Sequence, residues 1–192
     1  MGVEQQYIEL FDSQRDLIDC HSVGVLNARR AAAREAFAAH GLPTRRDERC
    51  KYTDVAEAFA PDYGLNLGRI VPGVDPYRAY RCQVPNLSTA LYFVVNDSFM
   101  SPSPVAAQQP EGVTVCSLGE AQDGLFVHVA AGVKCPRTLQ VVNMSAASLD
   151  LMATRRVLLV AEAGAEASLL FCDHSDGRHN YLTTQVVEAF LG

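Results

Sequence analysis

At 192 residues the chain is long enough for one good-sized domain, or one domain with a small appendage; 48% hydrophobic against 20% charged residues is an ordinary globular balance. A net charge of −6 excludes nucleic acid as a bulk electrostatic partner, because phosphate binding needs clustered Lys and Arg. No stretch reaches the ~20 apolar residues of a membrane helix, and the acidic start MGVEQQYIELFDSQ is not a signal peptide.

Residues 3–20 carry Tyr7, Ile8, Phe11, Leu17 and Ile18 mostly at helical spacing, with charges between them, which predicts a helix. Residues 23–40 predict a second. Leu26, Ala33 and Phe37 form its stripe, Ala31–Ala33 favour the helix, and Gly41 followed by Pro43 ends it. Arg29, Arg30 and Arg34 on this helix, with Arg45, Arg46 and Arg49 beyond it, read as solvated charge or as a surface for an acidic partner. A shorter helix capped by Thr53 or Asp54 runs to Ala60 before Pro61. Residues 1–62 thus form a helical N-terminal region.

From Tyr63 the texture changes, and residues 63–192 read as β-rich. Gly64, Gly68, Pro72, Gly73 and Pro76 break helices, while Asp62 and Asp75–Pro76 read as turn formers. Ala90–Val95 predicts a strand entering a tight turn at Asn96–Asp97–Ser98. Ser101–Pro110 is a loop by composition and Val113–Cys116 a short strand. Further strands follow at Leu125–Val129, Thr138–Val142, Leu151–Val160, Ala165–Cys172 and Tyr181–Leu191.

These strands carry a repeat. Leu125–Val129 runs into Gly132, Val157–Val160 into Gly164 and Val186–Leu191 into Gly192, roughly thirty residues apart. Lys134 and Glu166 stand two positions beyond the first two glycines. Short, nearly all-apolar strands joined at glycine or alanine corners predict the start of a parallel β-helix, with a β-sandwich of Greek-key type as the alternative. In that stack Val187, Ala189 and Leu191 face inward at an open last edge. Unpaired edges template association, so self-association through Tyr181–Leu191 is expected, as a two-fold dimer.

Four collinear segments resemble the SufB/SufD family of iron–sulfur cluster assembly proteins, in its SufD form: Gly41–Val55 (GLPTRRDERCKYTDV), Val74–Phe99, Leu149–Ser175 and Asn180–Gly192. Where the family commonly has Trp before Lys-Tyr-Thr, this chain has Cys50 before Lys51, Tyr52 and Thr53. The resemblance implies a helical N-terminal domain leading into a right-handed parallel β-helix. It implies a non-catalytic scaffold role beside SufB-like and SufC-like subunits, with the iron–sulfur cluster and the ATP of SufC belonging to the full complex. The family's SufC-binding helical domain, its later β-helix turns and its cluster-related Cys and His residues would lie beyond Gly192. This chain by itself is therefore expected neither to hold a cluster nor to bind SufC. The family's helical excursion between the strands at GVTVCSL and DGLFVHV is here replaced by Gly119–Asp123.

Candidate chemistry is sparse. Cys172, Asp173, His174, Asp176 and His179 are the densest set of ligand-type residues. On a strand Cys172 and His174 share a face, so a metal could bridge them and recruit His179 from the turn. The set lacks the paired spacings of zinc sites, and it reads as a polar corner on which any metal is adventitious. Six cysteines (20, 50, 82, 116, 135 and 172) without a CxxC pair fit reduced thiols in the cytoplasm better than a disulfide framework. His128 reads as a hydrogen-bonded strand histidine and Cys20–His21 as a helix end. Asp54 and Glu57 read as cap and surface charge. No GxxxxGK[ST], GxGxxG or GxSxG motif is present. A β-helix enzyme acting on carbohydrate or acyl groups would have to draw on Glu162, Glu166 and Glu188, which form no paired arrangement. A plain oligomerisation module is the third reading.

Overall fold

The structure is a computed structural model describing residues 2–68, 70, 73–80, 89–100, 109–118, 124–175 and 177–192. Most of the expected loop Ser101–Pro110, the link Gly119–Asp123, Cys82 and Asp176 lie outside the described residues.

Helices come first. The stretch expected as one helix is two, α1 (Val3–Ser13) and α2 (Arg15–Cys20). Gln14 leaves the helical region at φ −111°, and the Ser13 hydroxyl donates back to the Leu10 carbonyl. Helix α3 (Gly24–His40) ends at Gly41, whose φ of 68° suits glycine and whose N–H donates to Phe37 O at 2.8 Å. Helix α4 (Val55–Phe59) is capped by Asp54, whose Oδ1 accepts the Glu57 N–H at 3.0 Å. Asp75 also departs from the turn reading, capping a short helix α5 (Pro76–Ala79) with Pro76 in its first turn. Tyr7 Oη donates to Phe59 O, tying α1 to α4. Among the described residues of α1–α4 only Ile8 is buried, so the core lies elsewhere.

Arg29 of α3 is exposed, but Arg30 and Arg34 are not merely solvated. Leu26 and Phe37 are half-buried while Ala33 is exposed, and the stripe is completed by Arg30 and Arg34. Arg34 forks onto Asp12 of α1 at 3.1 and 2.6 Å, and Arg30 lies 3.2 Å from Asp19 of α2. Alanine pays no desolvation cost at the surface, whereas a guanidinium over a carboxylate fastens two helices. Of the cluster, Arg30 and Arg34 serve the chain itself, as does Arg45, 3.4 Å from Asp54.

The core lies between two sheets. One holds β1 (Gly64–Leu65), β4 (Val113–Ser117), β5 (Gly124–Val129), β7 (Leu151–Ala161) and β9 (Tyr181–Leu191). The other holds β2 (Ala90–Val95), β3 (Ser98–Met100), β6 (Leu139–Ser145) and β8 (Leu169–Ser175). From β5 onward the chain alternates between sheets and pairs in parallel. Leu125 registers with Val157, Leu139 with Leu169 and Leu151 with Tyr181. Each neighbour therefore lies about thirty residues further on. Antiparallel pairing among the described strands is confined to β2 with β3 and β4 with β5.

Strand bounds moved where polarity hid them. β6 and β8 run on through Asn143–Ser145 and Asp173–Ser175, which pair with one another in register. Ala165 and Glu166 instead form the corner, with Ala165 N–H on Glu162 O and Glu166 bridged to Lys134. The apolar cluster draws Tyr92, Val94, Leu139 and Val141 from one sheet and Val113, Val115, Leu125, Val127, Val129 and Val157 from the other. Val187, Ala189 and Leu191 register with Val157, Leu159 and Ala161, so they continue the inward face, yet Val187 is 51% and Leu191 77% exposed.

Candidate functional site

At one end of the stack the space between the sheets turns polar. Inward positions that hold Leu139 and Val141 earlier in β6 hold Asn143 and Ser145 later, and Asp173 and Ser175 follow Phe171 along β8. A strand alternates its faces with period two, so the change is written along the inward-facing rows of β6 and β8, and Arg155 of β7 and Gln185 of β9 follow the same pattern before Val157 and Val187. The result is an open cleft of about 560 Å³ lined by Asp173, Ser175, His179, Tyr181, Thr183 and Gln185, among others.

Arg155 sits at the base of this region with a side chain 2% exposed. Its Nε donates to the Asn96 carbonyl, Nη1 lies 3.3 Å from Asp173 Oδ1, and Nη2 is buried without a partner among the described residues. Burial pushes its pKa below the ordinary arginine value, and the charges of Asp173 and Asp97 oppose that shift. Asn96 is itself held at both ends: its Nδ2 donates to Ala146 O and its Oδ1 accepts the Ala146 N–H, each at 2.9 Å. Its φ of 56° places it in the left-handed region that Asn tolerates, which lets β2 turn back into β3.

The ligand-type residues of β8 are not brought together. Cys172 and His174 do share the outer face, but Cys172 Sγ takes a hydrogen bond from Gln140 Nε2 at 3.3 Å and His174 meets the Tyr80 ring edge-on at 5.3 Å. His179 faces Asp150 across 3.7 Å instead. Asp150 is held below the usual carboxylate range by Asn180, whose side chain and backbone both donate to it, with His179 adding to the effect. Among the described residues no three His, Cys, Asp or Glu side chains converge as a metal site would require.

The three glutamates weighed for hydrolysis each bind one turn of the chain to the next. Glu162 meets His128 at 2.8 Å and accepts the Ala131 N–H, and the His128 hydrogen bond lowers its pKa. Glu166 meets Lys134 at 2.7 Å and Glu188 meets Arg156 at 2.5 Å. Cys20 donates to Leu17 O at a helix end. Sequence reasoning missed Arg155. The signal was present: it shares the parity of Val157 and Leu159 in an otherwise apolar run, whereas Arg156 has the opposite parity.

Against families of known proteins, residues 1–121 match the model of the SufBD protein N-terminal region. Comparison with curated proteins and with solved structures returns no match. The match takes in all the helices and the first strands, and stops short of β5. This chain therefore belongs to the SufB/SufD family, of which residues 1–121 are the N-terminal region.

Proposed function

We propose that the chain is a SufD-like, non-catalytic scaffold subunit of SUF-type iron–sulfur cluster assembly, working in the cytoplasm beside SufB-like and SufC-like subunits. The family match over residues 1–121 carries this reading. Two observations outside that span support it. The segments Leu149–Ser175 and Asn180–Gly192 resemble SufD in collinear order. Strands β5 to β9 alternate between two sheets and pair in parallel, which we read as the first turns of the family's parallel β-helix. The iron–sulfur cluster is cargo of the assembled complex, and ATP is the ligand of the SufC-like subunit.

Co-expression with SufB-like and SufC-like subunits of the same source tests the proposal. The expected result is co-purification in fixed stoichiometry, with ATPase activity following the SufC-like subunit. Turnover of glycoside or ester substrates by this chain, with no association to either subunit, would replace the scaffold reading by an enzymatic one.

A further inference from the structure

We infer that Gln109 is an edge guard: its side-chain amide fills the hydrogen-bonding groups that β4 turns away from its sheet, and so keeps the β4 of a second copy of this chain from pairing there. Among the described strands β4 pairs only with β5. The ladder between them fixes which backbone groups point outward. Ala130 N–H donates to Gly112 O at 3.0 Å and Leu118 N–H to Gly124 O at 2.8 Å. With Val113 opposite Val129 and Ser117 opposite Leu125, these contacts mark the hydrogen-bonded rungs, which alternate along an antiparallel pair. Thr114 and Cys116 therefore bond to β5, and the N–H and C=O groups of Val113, Val115 and Ser117 face the other way.

The segment just before the strand meets two of these three residues. Val113 N–H donates to Pro110 O at 3.0 Å. At Val115 one side chain takes both groups: Gln109 Nε2 donates to Val115 O at 2.7 Å, and Gln109 Oε1 accepts the Val115 N–H at 3.4 Å. A carboxamide presents a donor and an acceptor side by side, so it can stand in for the residue that a neighbouring strand would offer. The turn between Gln109 and Val115 is built for this approach. A Cβ on Gly112 would lie 2.5 Å from Val133 Cγ2, so the turn closes only on glycine.

What the guard excludes follows from β4 itself. Val113–Ser117 (VTVCS) contains no charge, Pro or Gly, the residues that commonly protect an edge, and it is rich in strand formers. Val115 is the midpoint of its 5 residues. Two copies aligned antiparallel about that midpoint would exchange the N–H and C=O of Val115, with Val113 opposite Ser117 and Thr114 opposite Cys116. Nothing in that register repels. Val115 cannot bond to Gln109 and to a second copy at once, so the amide and the copy compete for the same two groups. Gln109 is exposed, so its removal disturbs no packing.

The test compares the full chain with Gln109→Ala by amide hydrogen exchange and by diamide cross-linking. In dilute solution the Val115 amide is expected to exchange up to about tenfold faster in the variant, while the Thr114 amide, bonded to β5, is unchanged. Cross-linking uses chains that keep a single cysteine, one set at Cys116 and one at Thr114→Cys. In the Gln109→Ala background the two sets cross-link when mixed at rising concentration, because positions 114 and 116 oppose one another at a Cα distance that a disulfide spans. With Gln109 present they do not. Equal exchange at Val115 in the two chains overturns the inference. So does cross-linking between positions 114 and 116 with Gln109 in place, or its absence from Gln109→Ala at every concentration.

Discussion

Gly164 stacks on Gly132. Both hold left-handed φ angles, 71° and 68°, and a Cβ built on Gly164 would lie 3.8 Å from Gly132 Cα. The Gly132 N–H donates to Ala163 O at 2.9 Å, and two residues on Lys134 meets Glu166 at 2.7 Å. The glycine repeat is thus a corner at which successive turns meet. Room exists for a methyl group, so the backbone angle decides the cost of filling it. Gly164→Ala is expected to lose roughly 1–2 kcal/mol. Gly24→Ala, at the start of α3 with nothing within 4 Å and no positive φ, is expected to gain about 0.4–1 kcal/mol. Urea denaturation of the two variants separates angle from space.

Asn96 combines a left-handed φ with two side-chain bonds to Ala146. Asn96→Gly keeps the angle and loses the bonds, at roughly 0.5–1.5 kcal/mol each. Asn96→Ala loses the bonds and adds about 1–2 kcal/mol of strain. The alanine variant should therefore melt below the glycine variant, although alanine is the stiffer residue; equal melting points would show that the angle is not enforced.

Tyr77 packs edge-on against Phe93 at 4.6 Å, and its buried hydroxyl has no partner among the described residues. Burial pushes its pKa up to about 12 from 10.0. The folded state therefore holds its proton more tightly than the unfolded chain, and stability present below pH 10 falls as pH rises toward 12. Two units correspond to about 2.7 kcal/mol at full burial, and solvent screening of this half-buried residue makes the loss smaller. Tyr77→Phe removes that part of the alkaline loss and relieves an unpaired hydroxyl, so it should be as stable as the parent or more so at neutral pH. Denaturation between pH 8 and pH 12 reads both effects.

Two arginines side by side in β7 make opposite predictions. Arg155 is 2% exposed in its side chain, while Arg156 and its partner Glu188 are 41% and 44% exposed. Arg155→Met removes the donor to Asn96 O and the positive charge facing the buried Asp97, which should cost about 3–5 kcal/mol, whereas Asp173, 73% exposed, is left to water. Glu188→Gln should cost about 0–1 kcal/mol, because water screens an exposed pair. Comparable losses from both would mean that the cleft is wetter than its burial indicates.

What could be read from the residues was local and periodic. Gly41 and Asp54 bound their helices because capping is chemistry between near neighbours, and Asn96–Asp97 turned β2 because few residues accept a left-handed angle. Family membership was legible too, since GLPTRRDERCKYTDV needs no coordinates to be compared. The glycine spacing foretold which strands would be neighbours. Other features depended on residues distant in the chain. Arg30 and Arg34 became fasteners once Asp19 and Asp12 stood opposite them, and polar Asp173–Ser175 stayed in a strand because Asn143–Ser145 offered a ladder. That Arg155 lies inside and that Cys172 and His179 point to different partners both follow from register between segments about thirty residues apart. Hydrogen bonds between strands fix that register. No window of sequence contains both ends of those bonds, so packing alone could supply it.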